Sequence, residues 1–352
     1  MRNRKRKLQL GAMIFCMFMS GCSLGTSGSK DGGNKEAGKV CTQDVFAMDT
    51  YMGVTAYGSN GEKAVNAAVK EIKRLDSLWS VSSEQGEIYK VNQDGEGKLS
   101  EDTYDLVCEA KSIYQMTDGA FDMTVYPLME LWGFTSGNYK VPSENDIQTS
   151  LKKVDQSRVK LTKDRRIILE QGQQMDLGAI AKGFTSSRIM EIYKENGVTS
   201  GRVSLGGNVQ VLGTKPDGTK WKIGIQDPES SEGDIIGVVS LADQAVITSG
   251  GYERYFEEDG KRYHHILDTT TGYPADSGLS SVSIISADGT LADGLSTALF
   301  VMGKEKAIEF WREHPDAFDT VLVETDGSIY VTEGLEDCFS SERAFEIVQR
   351  GK

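Results

Sequence analysis

The sequence is poor in histidine, proline and cysteine, with three, six and five in 352 residues. So few imidazoles leave few candidates for proton chemistry near neutral pH. No Cys-x-x-Cys pair occurs, so a thiolate metal site is not indicated. Positive charge is also short: 39 Lys and Arg stand against 52 Asp and Glu, for a formal charge of −13. Five of the basic side chains lie within the first seven positions, so loss of residues 1–21 deepens the charge to −18. An acidic body repels phosphate backbones, which argues against nucleic acid as a partner and means that a polyphosphate ligand needs a shielding cation. No P-loop is present, and no G-x-G-x-x-G follows a strand, which disfavours both of those phosphate-binding frameworks.

What is present begins with "MRNRKRK", a positive leader segment, followed by "LQLGAMIFCMFMSGC", an apolar run too short to span a bilayer comfortably. Met19-Ser20-Gly21-Cys22 resembles a bacterial lipoprotein cleavage box with Met where Leu is usual. Residues 1–21 therefore read as a lipoprotein signal peptide, Cys22 as a lipid anchor, and residues 22–42, rich in Gly, Ser and Lys, as a flexible tether. Its stretch "SLGTSGSKDGGNKEAGK" reaches at most roughly 60 Å at about 3.5 Å per residue. Ordinary secretion with cleavage elsewhere is the rival reading. The expected location is the extracytoplasmic face of the cell membrane. Cys16 leaves with the signal segment, and Cys41, Cys108 and Cys338 remain, an odd number from which no pairing can be read. Cys108 sits in an apolar helical pattern and reads as a buried thiol.

The body, residues 43–350, mixes both periodicities. "GEKAVNAAVKEIKRLDSLW" places Val65, Val69, Ile72 and Trp79 on one helical stripe, and Ser100 and Gly119 bracket a second helix. "MDLGAIAKGFTSSRIMEIYKENG" reads as a loop running into a helix that stops at Gly197. Short strands with glycine turns follow, then the helices "TLADGLSTALFVMG" and "EKAIEFWREHP", and a hairpin around Asp326-Gly327. Helices and strands come in blocks, so the expected fold is α+β, with mixed or antiparallel sheets, packed helices and two subdomains sharing an interface.

Several stretches hold groups suited to chemistry. Asp293 and Thr297 in "ADGLSTALF" are four apart, so on a helix both point oxygen the same way. Taken alone, that spacing is more often a cap and a backbone-bonded threonine. "MDLGAIAKGF" sets glycines at a loop-to-helix junction where amides meet phosphate, with Lys182 as a point charge and Asp176 as an acceptor; close helix packing explains the glycines equally well. "SLGGN", residues 204–208, permits close approach of a backbone or a ligand. In "TDGAFDMTVYPLMELWGF" aromatic rings surround Asp122 and Thr124, as a core would and as a stacking site for a planar ring would. "YHHILDTTTGYP", residues 263–274, carries two of the three histidines side by side, and strand alternation sends His264 and His265 to opposite faces.

Their joint order is more telling than any one of them. Met48-Asp49-Thr50, "GAFDMTVYPLMELWGF", "DLGAIAKGF", "SLGGN", "TSGGYERYF…YHHILDTTTGYP" and "ADGLSTALF" together closely resemble the ApbE-type FAD:protein FMN transferase family across the whole body. The resemblance implies FAD as substrate and transfer of FMN through its phosphate to a threonine or serine hydroxyl of an acceptor protein, usually a membrane-associated redox protein. It implies a divalent cation, normally Mg2+, held by Asp293, Thr297 and the carbonyl of Ala179. FAD contacts fall to Met48, to Ala120, Phe121 and Asp122, to Asp176 and Lys182, and to His265 and the backbone of Leu267. His265 is the histidine that faces the site by the family pattern and is expected to be the general base, while Asp268 orients it or shapes the turn. Two departures stand out: Ser82 occupies a place near FAD where Tyr is common, and Asp49 replaces a commoner glycine. Hydrolysis of FAD to FMN and AMP, and flavin binding without catalysis, are the rival functions.

Overall fold

The computed structural model describes residues 38–230 and 233–351; the signal segment, Cys22 and most of the expected tether lie outside them. A nine-stranded sheet runs in the order Val40–Ala47, Thr50–Tyr57, Gly201–Leu205, Asn208–Leu212, Ala245–Gly250, Leu279–Ser286, Asp319–Glu324, Ile329–Thr332, Glu346–Val348. Its pairs are antiparallel except the last, where Tyr330 lies opposite Glu346 in parallel register, so the sheet is mixed as expected. The first strand starts inside the stretch read as tether: Val40, Cys41 and Thr42 pair with Tyr57, Ala56 and Thr55.

Period-two alternation gives the sheet two covered faces. Ala245 and Ile247 turn toward the helices, whereas Val246 turns to the other side. There it meets Trp221, Ile223 and Val239 of a three-stranded sheet formed by Trp221–Gln226, Ile235–Leu241 and Phe339–Ser340. On the helical side, Gly61–Trp79 buries Val65, Ile72 and Trp79, three of the four positions on the stripe read from sequence. Val69 is partly buried beside them.

A second lobe holds the helices Glu101–Met116, Tyr126–Trp132 and Glu144–Leu151 and a small sheet of Glu96–Lys98, Arg166–Ile168 and Lys160–Leu161. Ser100 caps the first of these helices through the Thr103 N–H, and Gly119, at φ +81°, follows its end. One apolar core links the lobes, running from Leu106, Val107 and Ile113 to Ile180, Leu295 and Leu299. A two-stranded hairpin, Tyr255–Glu258 with Lys261–His264, closes over an aromatic cluster in which Tyr139, Phe256 and Tyr263 stack in series. Trp132 Nε1 donates to the Gly272 carbonyl at 2.9 Å and fixes the following turn to the same cluster. Cys41, Cys108 and Cys338 are free thiols, each half-buried.

Two local features place the functional residues. Ala47 pairs with Thr50, so Met48 and Asp49 alone make the hairpin turn, both left-handed at φ 47° and 58°. That turn type demands positive φ at both central positions. Asp tolerates it, which accounts for Asp49 where the family commonly has glycine; Met48 is the strained member. The second feature is the contact between helices Ala181–Glu195 and Gly289–Met302. A Cβ on Gly183 would fall 2.1 Å from the Gly289 carbonyl oxygen and 2.5 Å from Asp293 Cβ, so only glycine allows this approach. Since the obstructing atoms belong to backbone and a helical Cβ, Gly183→Ala is expected to cost roughly 2–3 kcal/mol by overpacking. Thermal and denaturant unfolding would measure that loss, and an unchanged midpoint would show that the two helices separate freely.

Candidate active site

The close helix contact brings Asp293 against the start of helix Ala181–Glu195. The Gly183 N–H donates to Oδ2 at 2.7 Å and Asn208 Nδ2 donates to Oδ1 at 2.9 Å. Asp293 is 3% exposed, and burial pushes its carboxyl above the usual range while Lys182 and the two donors pull it back. A carboxylate has about four acceptor positions, so two donors leave lone pairs over. Thr297, one turn further along, is half-buried with Oγ1 3.3 Å from Ser249 Oγ. Ala179 and Lys182 belong to the same short stretch as Gly183, in the turn and first helical residues. The described residues contain no group of three or more His, Cys, Asp or Glu that could hold an ion. One carboxylate, one hydroxyl and one carbonyl are hard-oxygen donors of the kind a divalent cation takes alongside phosphate or water.

The two histidines diverge. His264 ends its strand with Nε2 3.1 Å from the Ala275 carbonyl and its ring edge-on to Phe300. His265 accompanies a different set: its backbone N–H and its Nδ1 lie 3.0 and 3.1 Å from the Arg254 carbonyl, and Phe134 is its ring neighbour. A carbonyl only accepts, so Nδ1 carries the proton and Nε2 keeps a free lone pair. Surrounding protein holds the His265 pKa well below the ordinary value, helped by Arg254, His264 and Lys182, which keeps the ring neutral at physiological pH. Asp268 shapes the turn, accepting from the Thr270 N–H and Oγ1.

The remaining expected contacts fall into two groups. Met48 N–H donates to Asp76, and its sulfur lies 3.9 Å from the Thr185 hydroxyl on the helix that carries Lys182. Asp176 accepts from the Gly178 N–H, in a loop clamped by Asn92, which bonds both the N–H and the carbonyl of Met175. By contrast, the Asp122 carboxylate is buried and engaged internally, by Thr124 N–H and Oγ1 and by the Gln156 N–H, while Phe121 is 2% exposed. Their side chains hold the segment's shape, with half-buried Ala120 beside them. Leu267 is buried and bridges to Pro274. Ser82 is exposed, with its hydroxyl near Ser80.

Sequence reasoning passed over Asn208, Ser249, Glu253 and Arg254. The first two lie within "SLGGN" and "TSGG", but nothing in their spacing points to Asp293 or Thr297, which are tens of residues away. Glu253 is exposed yet surrounded by protein at longer range; its backbone N–H lies 3.3 Å from the Gly250 carbonyl, and its side chain has no hydrogen-bond or ion-pair partner among the described residues. Desolvation and Asp293 push its pKa to about 7, against the pull of Lys182 and Arg254. A carboxyl whose folded pKa is raised binds its proton more tightly than the unfolded chain, so its effect turns unfavourable as pH rises from about 4.5 to 7. Glu253→Gln is therefore expected to raise the melting temperature at pH 8 more than at pH 5. Equal shifts at the two pH values would contradict this electrostatic reading.

Residues 48–322 match the model of the ApbE family. A relative from Klebsiella pneumoniae (strain 342), named FAD:protein FMN transferase, is 34% identical over 279 residues, 75% of this chain and 83% of its own length. One of the same name from Treponema pallidum (strain Nichols) is 32% identical over 314 residues, 83% of this chain and 86% of its own. Among solved structures, the ApbE protein of Thermotoga maritima aligns with a TM-score of 0.80 at 36% identity, covering 85% of this chain and 98% of that one. The flavinyl transferase ApbE of Pseudomonas stutzeri aligns with a TM-score of 0.76 at 30% identity, covering 87% and 98%. The matched span takes in the Met48 turn, the Asp176–Lys182 stretch, both histidines and the Asp293 helix, and the chain belongs to the ApbE family.

Proposed function

We propose that the protein is an FAD:protein FMN transferase: it moves FMN from FAD to a threonine or serine hydroxyl of an acceptor protein and releases AMP. Relatives covering most of its length carry that name. The observation that carries the reading is His265, a neutral imidazole with Nδ1 tied to the Arg254 carbonyl and Nε2 left as a base, in the electrostatic neighbourhood of Lys182.

The acceptor oxygen attacks the phosphorus on the FMN side of the diphosphate. A new P–O bond forms, the bond to the AMP phosphate oxygen breaks, and the hydroxyl proton passes to His265 Nε2. Lys182 offsets charge on the phosphates, and the Met48 turn and the Asp176 loop position the dinucleotide. Asp293, Thr297 and the Ala179 carbonyl would hold Mg2+, which when bound neutralises diphosphate charge and stabilises the leaving phosphate. A lipid on Cys22 would keep the enzyme at the extracytoplasmic face of the cell membrane, beside membrane-bound redox acceptors.

Incubating the protein with FAD, Mg2+ and an acceptor carrying such a threonine separates the possibilities. Transfer yields a fluorescent protein band together with AMP. AMP with free FMN and no band would indicate hydrolysis, and neither product would leave only binding. EDTA and Asp293→Ala are each expected to lower the rate by about a hundredfold or more, the scale of one lost electrostatic contact in a transition state. His265→Ala should lose roughly 10²–10⁴-fold. Because the His265 pKa lies well below the ordinary value, the base form is already full at neutral pH. The wild-type rate should stay level as pH falls from above neutrality through the ordinary histidine range and drop only in stronger acid; a rise centred on the ordinary histidine pKa would remove His265 from the role.

A further inference from the structure

Ser249 lies on strand Ala245–Gly250, on the same face as Ala245 and Ile247, which pack toward helix Gly289–Met302. Its Oγ is 2.7 Å from Ser296 Oγ and 3.3 Å from Thr297 Oγ1. Ser296 Oγ is in turn 2.8 Å from the Asp293 carbonyl oxygen. Each hydroxyl owns one proton, and this fixes the direction of the chain. The carbonyl only accepts, so Ser296 donates to it. Ser296 then has only lone pairs to offer, so Ser249 donates to Ser296. With its proton engaged, Ser249 faces Thr297 as an acceptor, and the Thr297 proton points back toward the strand.

We infer that Ser249 is a positioning residue which, by drawing the Thr297 proton toward itself, turns the free lone pairs of Thr297 to the side shared with Asp293, where a divalent cation is to be held. This inference rests on the proposed cation site and adds to it a group that does not touch the ion. Without Ser249 the Thr297 hydroxyl rotates, and its proton occupies the ligand position for part of the time or turns to a helix carbonyl, as mid-helix threonines do. Thr248 supplies an internal control. It is the preceding residue, points to the opposite face, and pairs its hydroxyl with Ser283 at 2.7 Å.

The experiment is a titration of the full chain with Mn2+ alone, without FAD or acceptor, read by the loss of the free-ion EPR signal. Ser249→Ala is expected to weaken Mn2+ binding about fivefold, the net worth of one ordinary hydrogen bond. Ser249→Thr, which restores the hydroxyl, should return the affinity to within about twofold, and Thr248→Ala should bind as wild type does. Melting temperatures of the two alanine variants separate a loss of fold from a loss of ligand orientation. Wild-type affinity in Ser249→Ala would overturn the inference while leaving Asp293 and Thr297 as ligands. If the wild-type chain bound no Mn2+ while remaining folded, the cation site itself would fall and this role with it.

Discussion

The buried carboxylate of Asp293 requires donors, and the way they are supplied dictates much of the architecture around it. One donor is a backbone N–H from the first turn of helix Ala181–Glu195; the other is the side-chain amide of Asn208 at the start of a central strand. Losing either donor would leave the buried carboxylate one hydrogen bond short, at a cost of about 1.5–3 kcal/mol for a bond to a charged group. Two helices and the sheet must therefore keep their mutual positions closely, and a glycine at position 183 is the condition for it. The same constraint puts Lys182 within electrostatic reach of Asp293, Glu253 and His265.

Proton direction runs through the whole site. The Arg254 carbonyl selects the tautomer of His265, and the Asp293 carbonyl, through Ser296, sets the sense of the hydroxyl chain that ends at Thr297. In both cases an atom that only accepts makes a nearby ambidextrous group commit. Backbone carbonyls are well suited to this because they do not titrate and their positions follow from secondary structure. Phosphoryl transfer leaves little covalent chemistry to the protein, so orienting lone pairs and charges is most of what such a site has to do.

Much of this could be read beforehand, unevenly. The stripe of Val65, Ile72 and Trp79, the Ser100 cap and the hairpin at Asp326-Gly327 follow from periodicity and turn chemistry, and all three appear as expected. The helices Glu87–Asp94, Tyr126–Trp132 and Glu144–Leu151 were not legible; at seven or eight residues they are shorter than the window in which a 3.6-residue repeat shows. The Met48-Asp49 turn was a puzzle in sequence and became intelligible once both residues took left-handed conformations. Asp122 looked like a ligand group, and only the structure assigns both its oxygens to Thr124 and Gln156.

By itself, the sequence determined local periodicity, the scarcity of proton-transfer groups, the acidic balance and the ordered set of motifs, because each depends on neighbours in the chain or on sums over it. Tertiary structure alone decided which groups meet: Asn208 with Asp293, Ser249 with Thr297, and Arg254 with His265. The first two pairings span 85 and 48 residues, and no spacing rule links positions so far apart. The third crosses the hairpin of strands Tyr255–Glu258 and Lys261–His264, whose register sets it. In the first two cases a polar atom withdrawn from water must find its partner wherever the packing of helices on the sheet delivers one.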